Sequence, residues 1–239
     1  MKFSDIEQVY CLSLARRQDR RDLVSKNLQN AGIEFKFFDA VDGQTIEVDR
    51  SKLNNPNEWM MQCGNGTFAI ILSFARILEH AKENGFSNVM ICEDDVVFRE
   101  SFLDRADKFL NDVPDDWDVL YFGGNHVDHY PHKITEHLSK CVSTRTTHSM
   151  VFRDTCYDKV INEILKFNDP LDEIFAKMQR DRVLNAYTTI PVLAWQFDSF
   201  SDIEECFASY EFLETFDEND YEKDRNAKGF RYRNYTDLE

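Results

Sequence analysis

The chain has 239 residues, 42% of them apolar and 20 of them phenylalanine, so it is long and greasy enough to bury a sizeable core in one large domain. That excludes a disordered or low-complexity protein. The formal charge of −16 excludes a nucleic-acid or anionic-lipid binder, because so acidic a surface repels phosphate backbones. It still admits a diphosphate ligand whose charge a divalent cation neutralises locally.

No apolar run approaches the roughly 20 residues that cross a bilayer. The opening MKFSDIEQVY is too polar for a signal peptide, so a cytoplasmic location is expected. Cys11, Cys63, Cys92, Cys141, Cys156 and Cys206 show neither CxxC pairing nor zinc spacing and are expected as reduced thiols. The sequons at Asn65 and Asn234 are read as chance.

In chain order, residues 9–14 read as a buried strand. Helical spacing follows across ARRQDRRDLVSKNLQNAGI, with glycine at the stop, and residues 34–38 form a second strand. This β-α-β opening favours a parallel sheet. Residues 68–78 carry a helical apolar period that runs on to Lys82, and Gly85 ends it. A short apolar strand, residues 89–92, then runs straight into Glu93-Asp94-Asp95. A helix over residues 101–111 precedes a strand over 118–122, which ends at Gly123-Gly124. Residues 141–152 suggest one or two β segments. Cys156, Val160, Ile161, Ile164 and Leu165 share a helical face, residues 171–178 suggest another helix, and 184–190 a strand broken by Pro191. From Glu214 the chain turns charged and aperiodic, which divides it into a catalytic domain, residues 1–213, and an arm, 214–239. The fold class is α/β, with a mostly parallel sheet flanked by helices.

Ligands of such sheets bind beyond the carboxyl ends of the strands, where the acidic triplet and the glycine pair both fall. Extended as a strand, the triplet sends Glu93 and Asp95 to one side and Asp94 to the other. Two carboxylates on one side suit a hard divalent cation, Mn²⁺ or Mg²⁺, that keeps positions open for substrate phosphates. The competing reading is a solvated acidic turn.

Five ordered segments resemble glycosyltransferase family 25, which holds lipooligosaccharide and procollagen galactosyltransferases. They are VYCLSLARRQDRR, FFDAVDG, Leu72-Ser73, NVMICEDDVVF and WDVLYFGG. Thr147-His148, Pro170-Leu171-Asp172 and the later Pro191, Gln196 and Ser201-Asp202-Ile203 are similar to further family motifs, so the likeness covers roughly residues 7–204. Three positions depart from it. Ser13 stands where the family usually has Asn, Phe74 where it has His, and Ser149-Met150 where it has Ala-Tyr.

The resemblance implies a GT-A type fold, a UDP-sugar donor, UDP-galactose or UDP-glucose, Mn²⁺ dependence and inversion at the anomeric carbon. The acceptor would be a glycan, a lipid-linked sugar or a protein hydroxyl. The donor is expected against Ser13, Leu14, Arg16, Arg17, Asp42, Ser73, Asp94, Gly123, Gly124 and His148, with metal on Glu93 and Asp95.

Inverting transfer needs a base, for which Asp172 is the first candidate and Glu173 the second. A helix cap is the plainer role for either. Arg16, Arg17, Arg20 and Arg21 offer bidentate forks for phosphate, against the plainer reading of a solvated face. His126, His129 and His132 read as a polar loop, since Pro131 breaks any helix that would join them. Trp117 and Trp195 suit the core, Trp195 being the better stacking platform. Residues 196–202 are expected to close the site, with Asp198 or Asp202 near the metal. Three alternatives stay open: a nucleotidyltransferase, opposed by the absence of glycine in ARRQDRR; a non-catalytic binding domain; and a haloacid-type phosphatase, opposed by a first strand that ends in SLARR.

Overall fold

The structure, a computed structural model, describes residues 1–127, 131–203 and 206–210. The expected arm and His129 lie outside these residues. The chain opens with β1 (Gln8–Ser13), α1 (Gln18–Asn30) and β2 (Lys36–Asp39), the expected β-α-β unit, with β1 and β2 parallel. A short α2 (Glu58–Gln62) and a long α3 (Asn65–Glu83) lead to β3 (Asn88–Glu93), parallel to β1. Then come β4 (Val96–Phe98), α4 (Phe102–Asp112), β5 (Val119–Tyr121), β6 (Asn125–His126), β7 (His132–Lys133), β8 (Leu138–Lys140), β9 (Thr144–Arg145) and β10 (Ser149–Arg153). The described chain finishes with α5 (Tyr157–Ile164), α6 (Leu171–Arg180), β11 (Ala186–Thr189), β12 (Ala194–Gln196), β13 (Ser199–Ser201) and β14 (Cys206–Ala208).

Eight strands form one sheet in the order β2-β1-β3-β10-β5-β11-β8-β7. Most of them run one way. β10 and β8 are reversed, and β10 lies antiparallel between β3 and β5. The fold is therefore mixed α/β around a large, mostly parallel sheet. Side chains alternate across it as strand geometry requires. From β3, Val89 and Ile91 face a core shared with Phe68, Phe74 and Phe175 of α3 and α6, while Met90 and Cys92 face a second core with Val24, Leu28, Phe102 and Phe109 of α1 and α4.

α3 forms because its apolar residues recur at helical spacing over nineteen residues. Gly85 in the left-handed region follows its end, as a glycine there avoids a Cβ clash. Phe74, where the resemblance has His, is fully buried, with its ring 6.3 Å from both Phe152 and Phe175. Ser149 and Met150 are buried inside β10. All six cysteines carry free thiols, four of them buried. Among the described residues no helix is long and apolar enough to cross a membrane.

Candidate active site

Parallel strands β1 and β3 end side by side, and β12 and the strap that follows it reach over their ends through Gln196 to Asp95 and Ser199 to Arg20. β3 ends at Glu93, and Asp94-Asp95 form the turn into β4, so the strand alternation extended through Asp95 gives way to a turn. Asp94, 6% exposed, accepts from Ser13 Oγ at 2.7 Å and pairs with Arg20 Nη1 at 2.5 Å. Arg20 also lies 3.8 Å from Asp95. Asp95 Oδ2 accepts from Gln196 Nε2 at 3.2 Å, whereas Oδ1 is buried without a partner. Glu93 accepts from the Thr147 hydroxyl.

Three carboxylates thus share one guanidinium in a region shielded from solvent. Burial first, and the neighbouring Asp95 and Asp94 charges next, push the Glu93 carboxyl up; the Thr147 hydroxyl and Arg20 oppose this. Burial likewise raises Asp95, with Arg20 pulling the other way. Such a site lacks positive charge. The orphaned Asp95 oxygen fits a bound cation. Among the described residues no three His, Cys, Asp or Glu side chains converge as a ligand set. A cation here would take its remaining ligands from substrate phosphates or water, as Mg²⁺ and Mn²⁺ do.

The arginines after β1 are all engaged. Arg16 pairs with Asp42 at 2.7 Å and Asp202 at 3.0 Å, and Arg17 with Asp19 and Asp202. Arg20 reaches over to Ser199 Oγ and the Phe200 carbonyl, and Arg21 holds the Ser13 carbonyl and Asp39. These contacts tie the strap, β13 and β14, across the strand ends. Gly66 packs under it, where a Cβ would sit 2.9 Å from Ile203 Cα. Asp202 faces the arginines, and Asp198 is turned away to Ser209 and the Tyr210 amide.

The other candidates have more structural roles. Leu14 leads from β1 into the turn, its carbonyl accepting from Arg17 N. Ser73 is buried in α3, its hydroxyl donating to Ala69 O and accepting from Val41 N, which fastens the FFDAVDG segment to the helix. A Cβ on Gly123 would meet Ala194 O at 1.9 Å, and one on Gly124 would meet Thr144 Cγ2 at 2.5 Å. The glycine pair therefore lets β12 and β9 cross closely over the end of β5. His148, 1% exposed, donates from Nε2 to Ala194 O at 3.1 Å, and burial lowers its pKa to about 4, so it is neutral. Trp195 carries Arg99 over its ring at 5.4 Å, and Trp117 is buried beneath Arg153. His126 is inside, beside Thr144, and His132 is exposed on edge strand β7.

The two candidate bases differ. Glu173 is gripped by Arg145 and Arg180, each at 2.5 Å. Asp172 is half-buried, accepts from the Glu173 amide at 2.8 Å, and is raised chiefly by burial, with Arg145 opposing. It keeps a carboxylate oxygen free of side-chain cations, which a base requires. Sequence reasoning singled out neither Thr147 nor Gln196 as a site residue, although both lie in segments similar to family motifs.

The chain belongs to glycosyltransferase family 25 (LPS biosynthesis protein), matching that family over residues 6–179. It is 31% identical over 142 residues to the human "Inactive glycosyltransferase 25 family member 3", covering 54% of this chain and 23% of that one. It is 25% identical over 128 residues to mouse "Procollagen galactosyltransferase 2", covering 49% and 20%. With the "Procollagen lysyl hydroxylase and glycosyltransferase" of Acanthamoeba polyphaga mimivirus it shares 27% over 175 residues, covering 66% and 20%. The aligned region thus spans only a fifth to a quarter of these relatives' own length.

Proposed function

We propose that this chain is a metal-dependent inverting glycosyltransferase of GT-A type. It would move a hexose, galactose or glucose, from a UDP-sugar to a hydroxyl on a glycan, a lipid-linked sugar or a protein. The observation that carries the reading is the under-compensated carboxylate set at the end of β3, with its unpartnered Asp95 oxygen. Glu93 and Asp95 would hold Mn²⁺, or Mg²⁺. When bound, that ion supplies positive charge against the diphosphate leaving group.

The chain's own residues do the rest. Ser13 and Arg20 fix Asp94, and Arg20 with Gln196 orients Asp95. Asp172 takes the proton from the acceptor hydroxyl as its oxygen attacks the anomeric carbon. The anomeric carbon–phosphate oxygen bond breaks on the opposite face, and UDP leaves with the electron pair. Burial, which raises Asp172, keeps it basic enough to accept that proton.

A second reading, a non-catalytic member of the family, draws on the arginine tract, each member of which is already paired with a carboxylate, and on the core Phe74. The names of several relatives carry the word inactive. A screen of UDP-sugars with Mn²⁺, scored by UDP release, separates the two. Release that depends on both metal and donor supports transfer. Donor binding without release in any acceptor mixture supports the second reading.

A further inference from the structure

Between β9 and β10 the chain crosses from one acidic centre to the other in four residues. Arg145 ion-pairs Glu173 on α6, the Thr147 hydroxyl donates to Glu93, and the His148 carbonyl accepts from the Glu93 amide at 3.0 Å. Two residues apart, one side chain thus meets the helix that carries Asp172 and the other meets the end of β3. Glu93 continues the Val89 and Ile91 side of β3, the face that α3 and α6 cover.

The crossing is pinned. Gln179 of α6 clasps Thr144 at both ends, its Oε1 accepting from Thr144 N at 2.7 Å and its Nε2 donating to Thr144 O at 3.1 Å. Arg180 donates to Ser143 Oγ at 2.6 Å. Thr146 itself stands at φ +69°, a left-handed conformation that is strained for a β-branched residue. A Thr there, rather than Gly, means the surroundings hold the turn in place. With Thr146 in that conformation, the preceding side chain, Arg145, meets α6 and the following one, Thr147, meets Glu93.

We infer that Thr147 is a positioning residue, which orients Glu93 as a metal ligand and ties it, through the contacts of residues 143–145 with α6, to the helix that carries Asp172. This rests on the proposed metal and base roles. Groups that orient a metal ligand typically change metal affinity tenfold to a hundredfold when lost.

The test compares Thr147→Val, which keeps shape and loses the hydroxyl, with Thr147→Ser, which keeps the hydroxyl. Mn²⁺ binding in the presence of UDP is measured by titration calorimetry on the full chain, beside Tm. Thr147→Val is expected to bind Mn²⁺ about tenfold to a hundredfold more weakly, and Thr147→Ser within about threefold of wild type. If Thr147→Val unfolds, Thr147→Ser together with Thr147→Cys carries the comparison, Cys being expected to bind weakly because its thiol is a poor donor. Wild-type affinity in a folded variant lacking the hydroxyl overturns the positioning role alone. Failure of the wild-type chain to bind Mn²⁺ with UDP overturns the metal reading and this inference with it. Metal binding that behaves as expected in a chain without turnover leaves the positioning role standing and removes only the transfer.

Discussion

Two acidic pairs sit on facing elements of this molecule, and they are treated in opposite ways. Glu173 on α6 has an arginine 2.5 Å from each carboxylate oxygen, so its charge is matched on both sides even though Oε2 makes no well-formed hydrogen bond. Asp95 shares Arg20 with Asp94, takes one hydrogen bond from Gln196, and leaves an oxygen buried with nothing opposite. A buried carboxylate without compensation is unfavourable in the unliganded fold. It is retained where something else supplies the missing charge. On the proposed reading, the contrast separates a carboxylate that builds the structure from one whose charge a bound cation would offset.

The sharpest way to break this contrast is Asp95→Asn. UDP release under saturating Mn²⁺ and donor should fall at least about a thousandfold, since a side chain that holds charge at the leaving group contributes several kcal/mol. The same variant should raise the Tm of the unliganded chain by about 2–4 °C, because it removes a like charge from a buried cluster. A lower Tm would mean that the triplet is adequately compensated already.

Next in size is Asp172→Asn, expected to lower kcat about a hundredfold or more with metal binding intact. In the wild type, the acid limb of kcat/KM should lie above the ordinary carboxylate range. The base works ionised, and burial raises the pH at which Asp172 ionises. Ionisation also costs stability as pH rises from its unfolded to its folded pKa. A limb near pH 4 would assign the base elsewhere.

Glu173→Gln should act in the opposite sense to Asp95→Asn. It leaves Arg145 and Arg180 partly buried and unmatched, at a cost of about 2 kcal/mol, read as a Tm lowered by about 4–8 °C. The smallest effect is expected from Asp202→Asn. Its partners Arg16 and Arg17 are partly exposed, so Tm should move by less than about 2 °C, while amide exchange across residues 199–201 quickens as the strap loosens.

Much of the scaffold was legible because it is local. The β1-α1-β2 opening, the period of α3, and the apolar strand that delivers Glu93 to the carboxyl end of β3 all follow from patterns within about twenty residues. The pairings that shape the site are not local. β10 slots antiparallel between β3 and β5, and β12 pairs with β4 across a hundred residues of sequence, Gln196 opposite Val96. No periodicity announces either. Gly123-Gly124 shows the same limit. A glycine pair after a strand suggested room for a ligand, but the space belongs to Ala194 and Thr144 of returning strands. The arginine tract was visible as charge, yet its carboxylate partners lie at Asp42, Asp94 and Asp202, positions that only the folded chain brings together.

The reversed strand β10 has a consequence for how the molecule comes into being. β3 and β5 are complete by residue 121, but the place between them stays empty until residues 149–153 arrive. A nascent chain that stops at residue 140 leaves one edge of β3 and both edges of β5 unpaired, since β10 and β11 have yet to arrive. Such edges invite pairing with other chains. The first half is therefore not an autonomous folding unit, and β10 acts as the keystone whose insertion joins the two halves of the sheet.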